Sequence, residues 1–140
     1  MRIVFFLVFC LTLTTLVACV PKPKRDYTLK QITRLDSLKE LMRINAHYAD
    51  PLFTIRYQPL FTEPEMAAAE RAAERVMATS STIRERFAAG KPAKFGELAG
   101  RLRDGARDLM VAAQAERAAD ITTALDDMRD TCKECHKTFR

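Results

Sequence analysis

Two cysteines and a histidine lie close together near the C-terminus of this 140-residue chain, in the run Cys132-Lys133-Glu134-Cys135-His136. Two thiols three residues apart share one face of a helix, and Cys-x-x-Cys-His is the attachment signature of a c-type haem. In that chemistry Cys132 and Cys135 each bond a haem vinyl group, and His136 reaches the iron as an axial ligand. The motif therefore predicts one covalent haem c and a redox-active iron.

A Cys-x-x-Cys pair also occurs in thioredoxin-type redox sites and in zinc sites. The first kind of pair follows a strand in a βαβ unit, and the second needs further ligands to complete four. No strand pattern precedes Cys132, and His47 is the other of only two histidines in the chain. A protein without haem that uses Cys132 and Cys135 for metal binding or redox switching remains an alternative hypothesis, ranked behind the functions that involve haem.

The N-terminus has the pattern of a bacterial export signal. Arg2 precedes an apolar run over residues 3–16, which is shorter than the ~20 residues of a membrane span. The tetrad Leu-Val-Ala-Cys that ends at Cys19 resembles a lipobox, which predicts removal of residues 1–18 as a signal peptide and lipidation of Cys19. The alternative is an ordinary signal peptide cut near the same place, with Cys19 incidental. Cys10 lies in the discarded run, so no disulfide is expected.

The exported part divides into a short tether over residues 19–27 and one domain over residues 28–140. Loss of Arg2 lowers the formal net charge from +5 to +4, and charges of both signs are interspersed. This composition carries no nucleic-acid signature. We expect a protein on the periplasmic side of a bacterial membrane, held by its lipid. Val20 stands where an aspartate would signal inner-membrane retention in some bacteria, which slightly favours the outer membrane.

Beyond the tether, apolar residues recur at steps of three and four, and no strand alternation competes with them. This predicts an all-α domain. The first helix should start after Thr28, which can form a capping box with Gln31, and should stop at Asp50-Pro51. The connection over residues 50–61 is unusually apolar, which indicates packing on the end of the domain or, alternatively, a partner surface.

Three more helices are predicted. The second begins at Thr62 with a capping pattern and ends near residues 90–92, and the last two are separated by a turn near residues 114–118. The alternative to that turn is one continuous helix, which would require partner exchange or an extended dimer. Four apolar stripes of similar length predict an up-down-up-down four-helix bundle. Cys132 and Cys135 lie on the stripe of the last helix, so the haem should be attached near that helix's C-terminus and buried in the bundle.

The chain resembles the class II c-type cytochromes, the cytochrome c prime family, in its ending Cys-Lys-x-Cys-His-x-x-Phe-Arg. The resemblance extends from about Thr28 to Arg140, but only the last nine residues are highly specific. It implies an exported four-helix bundle whose Arg140 lies near the haem edge or propionates; the alternative is an ordinary solvated arginine. It also implies that the first helix supplies the residue facing the sixth coordination position of the iron.

Met42 is the candidate for that position. Residues 40–45 read Glu-Leu-Met-Arg-Ile-Asn, which resembles the low-spin members of the family, in which methionine is the sixth ligand. Helical spacing places Met42 on a face with apolar residues, namely Leu35, Leu38, Ala46 and Ala49. The alternative has Met42 as a core filler and Leu41 as an apolar blocker of an open iron. His47 falls on a face with Asp36, Glu40 and Arg43, which predicts a surface histidine.

The resulting expectation is a monohaem one-electron carrier, ligated through His136 and Met42, that turns over no substrate. The alternative function is binding or sensing of small gases such as nitric oxide or carbon monoxide at an open iron. Expected partners are redox proteins and, through Cys19, the membrane. The resemblance also implies a possible homodimer formed through the first two helices.

Overall fold

The structure, a computed structural model, describes residue 23 and residues 26–140. The predicted signal peptide over residues 1–18, the predicted lipidation site Cys19 and most of the tether lie outside these residues. No helix in the described part is both long and apolar enough to cross a membrane.

Five helices make up the described part of the chain, which contains no strand. They are α1 (Leu29–Ile32), α2 (Leu38–Ile55), α3 (Glu63–Phe87), α4 (Ala93–Gln114) and α5 (Ala118–Phe139). The four long helices α2 to α5 pack as a four-helix bundle, and α1 packs on α3. The predicted all-α four-helix bundle is therefore confirmed.

The first predicted helix is broken in two. Its start is correct: Thr28 forms the capping box, with the Gln31 amide donating to Thr28 Oγ1 at 3.2 Å and the Thr28 amide donating to Gln31 Oε1 at 2.9 Å. However, α1 ends at Ile32, and a second cap forms at Ser37, whose Oγ accepts from the Glu40 amide at 3.3 Å. Short polar side chains favour caps over helix interiors, because their oxygens bond nearby backbone groups. The prediction of one continuous helix was wrong for this reason.

The segment around α1 is fastened to α3. Ile32 is fully buried, and Leu35 packs on the same cluster of apolar side chains. The Arg75 guanidinium donates to the Tyr27 carbonyl, and Arg86 Nη1 donates to the Leu35 carbonyl at 2.8 Å. The chain that leads from the tether therefore enters the bundle along α3.

Helix α2 also continues beyond its predicted end. It runs through Pro51 to Ile55, although proline removes one helical hydrogen bond. Tertiary contacts hold the last turn: Leu52 is buried in the core, and Arg56 Nε lies 2.7 Å from Asp126 Oδ1 of α5. The Thr122 hydroxyl of α5 donates to the Arg56 carbonyl at 2.6 Å. The predicted stop was therefore wrong, and the predicted connection over residues 50–61 begins only at Arg56.

The remaining helix boundaries agree with the sequence predictions. The Thr62 amide donates to Glu65 Oε2 at 2.7 Å at the start of α3, and Gly90 makes the next turn with a φ of 74°. The turn between α4 and α5 lies at residues 115–117, inside the predicted range, and Glu116 takes a φ of 54° there. Since the two helices are separate, the single continuous helix is excluded.

The apolar core consists of two clusters along the bundle. The upper cluster, at the end where α1 packs, has six buried members: Ile32, Leu41, Ile44, Ile83, Phe95 and Ala99. The lower cluster, toward the α4–α5 turn, is larger and includes Val76, Leu109, Ile121, Leu125 and Met128. Between the two clusters, α5 carries Cys135 and His136, and α3 carries a run of hydroxyl residues.

Candidate haem-attachment site

Helix α5 carries Cys132, Cys135 and His136 through its last two turns. With about 100° between successive residues, the three side chains fall within an arc of roughly 100°. Cys132 is half-buried and packs on the lower cluster, Cys135 is half-buried, and His136 is exposed. Neither cysteine forms a disulfide. The structure thus places the two thiols and the imidazole of the motif on one side of one helix.

Glu134 fixes the direction in which that side points. It lies on the opposite side of α5 and pairs with two cations of α4, with Lys94 Nζ at 2.8 Å and Arg101 Nη1 at 2.8 Å. Hydrogen bonds from these two side chains lower the pKa of the Glu134 carboxyl. Phe139 adds an edge-to-face contact with Phe95, with ring centroids 5.3 Å apart. Because Glu134 is held against α4, the motif side of α5 turns toward the bundle interior and α2.

The two thiols are electrostatically unlike those of redox-active pairs. Burial raises the pKa of Cys132 to about 12, and the charges of Asp50 and Cys135 add to the effect. Burial also raises the pKa of Cys135, with a smaller contribution from Glu134. Reactive cysteines in thioredoxin-type pairs have lowered thiol pKa values, because the thiolate is the nucleophile. The environment of this pair therefore disfavours a thiolate-based redox switch.

Asp50 of α2 approaches the motif. Although its side chain remains open to solvent, desolvation raises the pKa of the Asp50 carboxyl, and the nearby His136 opposes this shift. The same carboxylate contributes to the raised pKa of Cys132. The sequence predicted Asp50 only as part of a helix stop. Its place beside the motif depends on the height at which α2 is set against α5, which the sequence does not reveal.

Met42 lies between the side of α2 that approaches the motif and the side that packs on α3, about 80° around the helix from Asp50 and about 60° from Asn45. It is half-buried and packs on the upper cluster, as does Phe139 of α5.

Arg56 is joined to two residues of α5, to Asp126 through its side chain and to Thr122 through its carbonyl. At ~1.5 Å per residue, Met42 lies about 21 Å up α2 from Arg56, which is level with His136 on the Thr122 contact and about four residues, or ~6 Å, above it on the Asp126 contact. Met42 therefore lies within ~6 Å of His136 along the bundle axis.

The neighbours of Met42 have other roles. Leu41 is fully buried in the upper cluster, about 100° around the helix from Met42. His47 lies about 140° from Met42 and makes a ring contact with Tyr48 at 5.0 Å between centroids. It is half-buried, whereas the sequence predicted a surface position.

Two predicted helical faces need correction. Leu35 does not share a helical face with Met42, because it lies in the break between α1 and α2. Glu40, predicted on the solvated face with His47, is 3% exposed and pairs with Arg43 at 3.3 Å. The first error follows from treating α1 and α2 as one helix, and the second reflects the packing around Glu40, which helical spacing does not reveal. Arg140 is exposed at the end of α5.

A buried polar side chain for which the sequence predicted no functional role lies on α3. Ser80 is fully buried, and its hydroxyl has no hydrogen-bond partner within the described part of the chain. Buried polar groups are normally paired. No sequence signal distinguishes Ser80 from Thr79 or Thr82, which do find partners.

These residues fit a covalently attached haem. Two thiols and an imidazole lie on one side of α5, the neighbouring helix α2 carries a half-buried thioether, and α3 adds an unpaired hydroxyl. The contact between α2 and α5 is sparser than the contacts of α4 with its two neighbours. When a haem is attached, Cys132 and Cys135 would hold it covalently, and His136 would supply an axial nitrogen.

Comparison with known families gives an independent result. The family model described as Cytochrome C' matches residues 62–140, which is more than half of the chain. The matched region contains α3, α4 and α5 with the whole haem motif, and it stops short of α2 and Met42. Comparisons with curated proteins and with solved structures returned no match.

Proposed function

Since the chain belongs to the cytochrome c prime family, a family of haem-binding c-type cytochromes, we propose that it is an exported one-electron carrier with a single haem. Its iron would be ligated by His136 and Met42. Haem, when bound, supplies a one-electron couple, and a methionine and histidine ligand pair favours a high reduction potential. In this proposal the protein transfers electrons between redox proteins and turns over no substrate.

The position of Met42 relative to His136 is the observation that carries this proposal. The two side chains come from the helices α2 and α5, which contact each other, and they lie within about 6 Å of each other along the bundle axis. Met42 and Phe139, three residues after His136, pack on the same cluster. A thioether near the level of the motif supports Met42 as the second axial ligand.

The helices that carry the two ligands are each anchored. The Arg56–Asp126 pair ties α2 to α5 at 2.7 Å, and a buried hydrogen bond from the Thr79 hydroxyl to Asn45 Oδ1 ties α2 to α3. Glu134 ties α5 to α4. A ligand pair held by packed helices rearranges little between two oxidation states, which suits electron transfer.

Replacing Met42 tests the proposal. We expect the wild-type protein, produced with haem-attachment machinery, to give a low-spin spectrum with the weak far-red band of methionine bound to ferric iron. Met42→Ala should abolish that band and give high-spin features, because alanine offers no ligand. Met77→Ala is the matched control, since Met77 is a half-buried methionine of the lower cluster.

An unchanged spectrum in Met42→Ala would refute the ligation. A high-spin wild-type spectrum would instead move the function toward small-gas binding, with Met42 as a packing residue.

Export and anchoring belong to the same proposal. We infer that Cys19 becomes the lipidated first residue of the mature chain and holds the protein on the periplasmic side of a bacterial membrane, with the outer membrane favoured. Stable anchoring requires two or more acyl chains, as on a bacterial lipoprotein. The haem chemistry proposed above requires export, but it does not depend on the lipid.

A further inference from the structure

Four consecutive hydroxyl residues, Thr-Ser-Ser-Thr over 79–82, lie in the middle of α3. Thr79, Ser80 and Thr82 are buried. The Thr82 hydroxyl donates to the Ala78 carbonyl at 2.9 Å, and the Thr79 hydroxyl pairs with Asn45. Ser80 alone among these three buried hydroxyls has no partner in the described part of the chain.

Ser80 faces the bundle interior. Val76 precedes it by four residues and Ile83 follows it by three, so the three side chains lie within about 60° of one another on α3. Val76 belongs to the lower cluster and Ile83 to the upper cluster, and both are buried. The unpaired hydroxyl therefore lies inside the bundle, where one apolar cluster gives way to the other.

The height of Ser80 along the bundle matches that of the haem ligands. The Thr79–Asn45 hydrogen bond sets α3 against α2, which puts Ser80 level with Ile44. The Arg56–Asp126 ion pair, at the C-terminal end of α2, fixes the height of α2 relative to α5. With the Thr122–Arg56 contact considered as well, Ser80 lies about 3 Å from the level of Met42 and about 3 Å from the level of His136 along the bundle axis.

We propose that the Ser80 hydroxyl donates a hydrogen bond at the haem site, either to the thioether sulfur of Met42 or to a carboxylate of the haem. The inference rests on the proposed function, in which His136 and Met42 hold the haem iron. Donation to either one favours the ferrous state, because it withdraws electron density from the iron's sulfur ligand or offsets a nearby negative charge.

Ser80→Ala in the haem-loaded protein tests this role. If the hydroxyl donates to the haem group, its loss lowers the reduction potential, and it lowers the melting temperature by roughly 3 to 6 °C. Ser81→Ala is the matched control: Ser81 is the adjacent, half-buried serine, and its replacement should leave the potential unchanged.

The opposite result overturns the proposal. A buried hydroxyl without a partner destabilises the fold, so its removal is stabilising. If Ser80 remains unpaired in the haem-loaded protein, Ser80→Ala raises the melting temperature and leaves the reduction potential where it was.

Measuring the effect of Ser80→Ala in the Met42→Ala variant identifies the group that accepts the hydrogen bond from Ser80. If the sulfur of Met42 accepts the hydrogen bond, Ser80→Ala has no effect on the potential once Met42→Ala is present. If a haem carboxylate accepts it, the downward shift persists in that background. A Met42→Ala variant with an unchanged spectrum would refute the proposed ligation alone, and the effect of Ser80→Ala would still report on the serine.

Discussion

Leu41 and Met42 are adjacent in the sequence but play different parts in the structure. Leu41 is fully buried within the upper cluster, and Met42 is half-buried at its edge. The sequence left open whether Leu41 blocks the iron or Met42 binds it. The burial of Leu41 among Ile32, Ile44 and Ile83 favours a packing role for Leu41, which is compatible with the ligation proposed for Met42.

Replacing Leu41 tests whether this residue acts through core packing and not at the iron. We expect Leu41→Ala to lower the free energy of unfolding by about 2–5 kcal/mol, because it leaves a cavity in the core. The far-red methionine band should persist, since Met42 is untouched. Urea unfolding and a visible spectrum of the haem-loaded variant provide both readings. A variant of normal stability that loses the band would contradict this assignment.

On helix α5, the ion pairs of Glu134 orient the haem-attachment motif, although they are exposed to solvent. Glu134 lies between the two haem cysteines in sequence, and its bonds to Lys94 and Arg101 turn the motif away from α4. The lowered pKa of its carboxyl makes this contribution dependent on pH. The contribution is complete above the unfolded-state pKa of ~4.3 and is lost as the pH falls through the lower folded-state pKa.

We therefore expect Glu134→Gln to have a lower melting temperature than wild type at pH 7, with the difference shrinking as the pH falls below ~4.3 and vanishing below the folded-state pKa. Thermal melts of the haem-loaded proteins across this range measure the effect. Glu74→Gln, at an exposed site on α3, serves as the control. A difference that stays constant with pH would show that the ion pairs contribute nothing.

The boundaries of the helices show what could be read from the sequence. Capping at Thr62 and Thr28 was predictable, because a cap is a local arrangement of side chain and backbone. The break at Ser37 and the continuation of α2 through Pro51 were not. The continuation depends on the burial of Leu52 and on the partner of Arg56, which lies 70 residues further along the chain.

At the scale of the whole molecule, the Cys-x-x-Cys-His motif predicted which side of the last helix would carry the haem. The apolar stripes predicted the four-helix bundle that surrounds it. Met42 became a ligand candidate through the resemblance of residues 40–45 to the low-spin members of the family, and helical spacing agreed with that prediction. The approach of Asp50 and the unpaired hydroxyl of Ser80 could not be predicted, since both depend on the heights at which neighbouring helices are set against each other.

The predicted lipid anchor at Cys19 determines where the whole molecule is located. We expect wild-type protein to sediment with membranes and Cys19→Ala to be lost from them, because the substitution removes the acylated residue. Fractionation of cells that export the protein measures this distribution, and haem content shows whether export still occurs. Membrane association that survives Cys19→Ala would contradict lipidation at this residue.

The visible absorption spectrum of the exported protein, oxidised and reduced, tests the assignment of the haem and its ligands most directly. We predict covalently bound haem c, a low-spin spectrum in both states and the far-red methionine band in the ferric state. Absence of haem from a protein exported with working attachment machinery would contradict the role assigned to Cys132, Cys135 and His136.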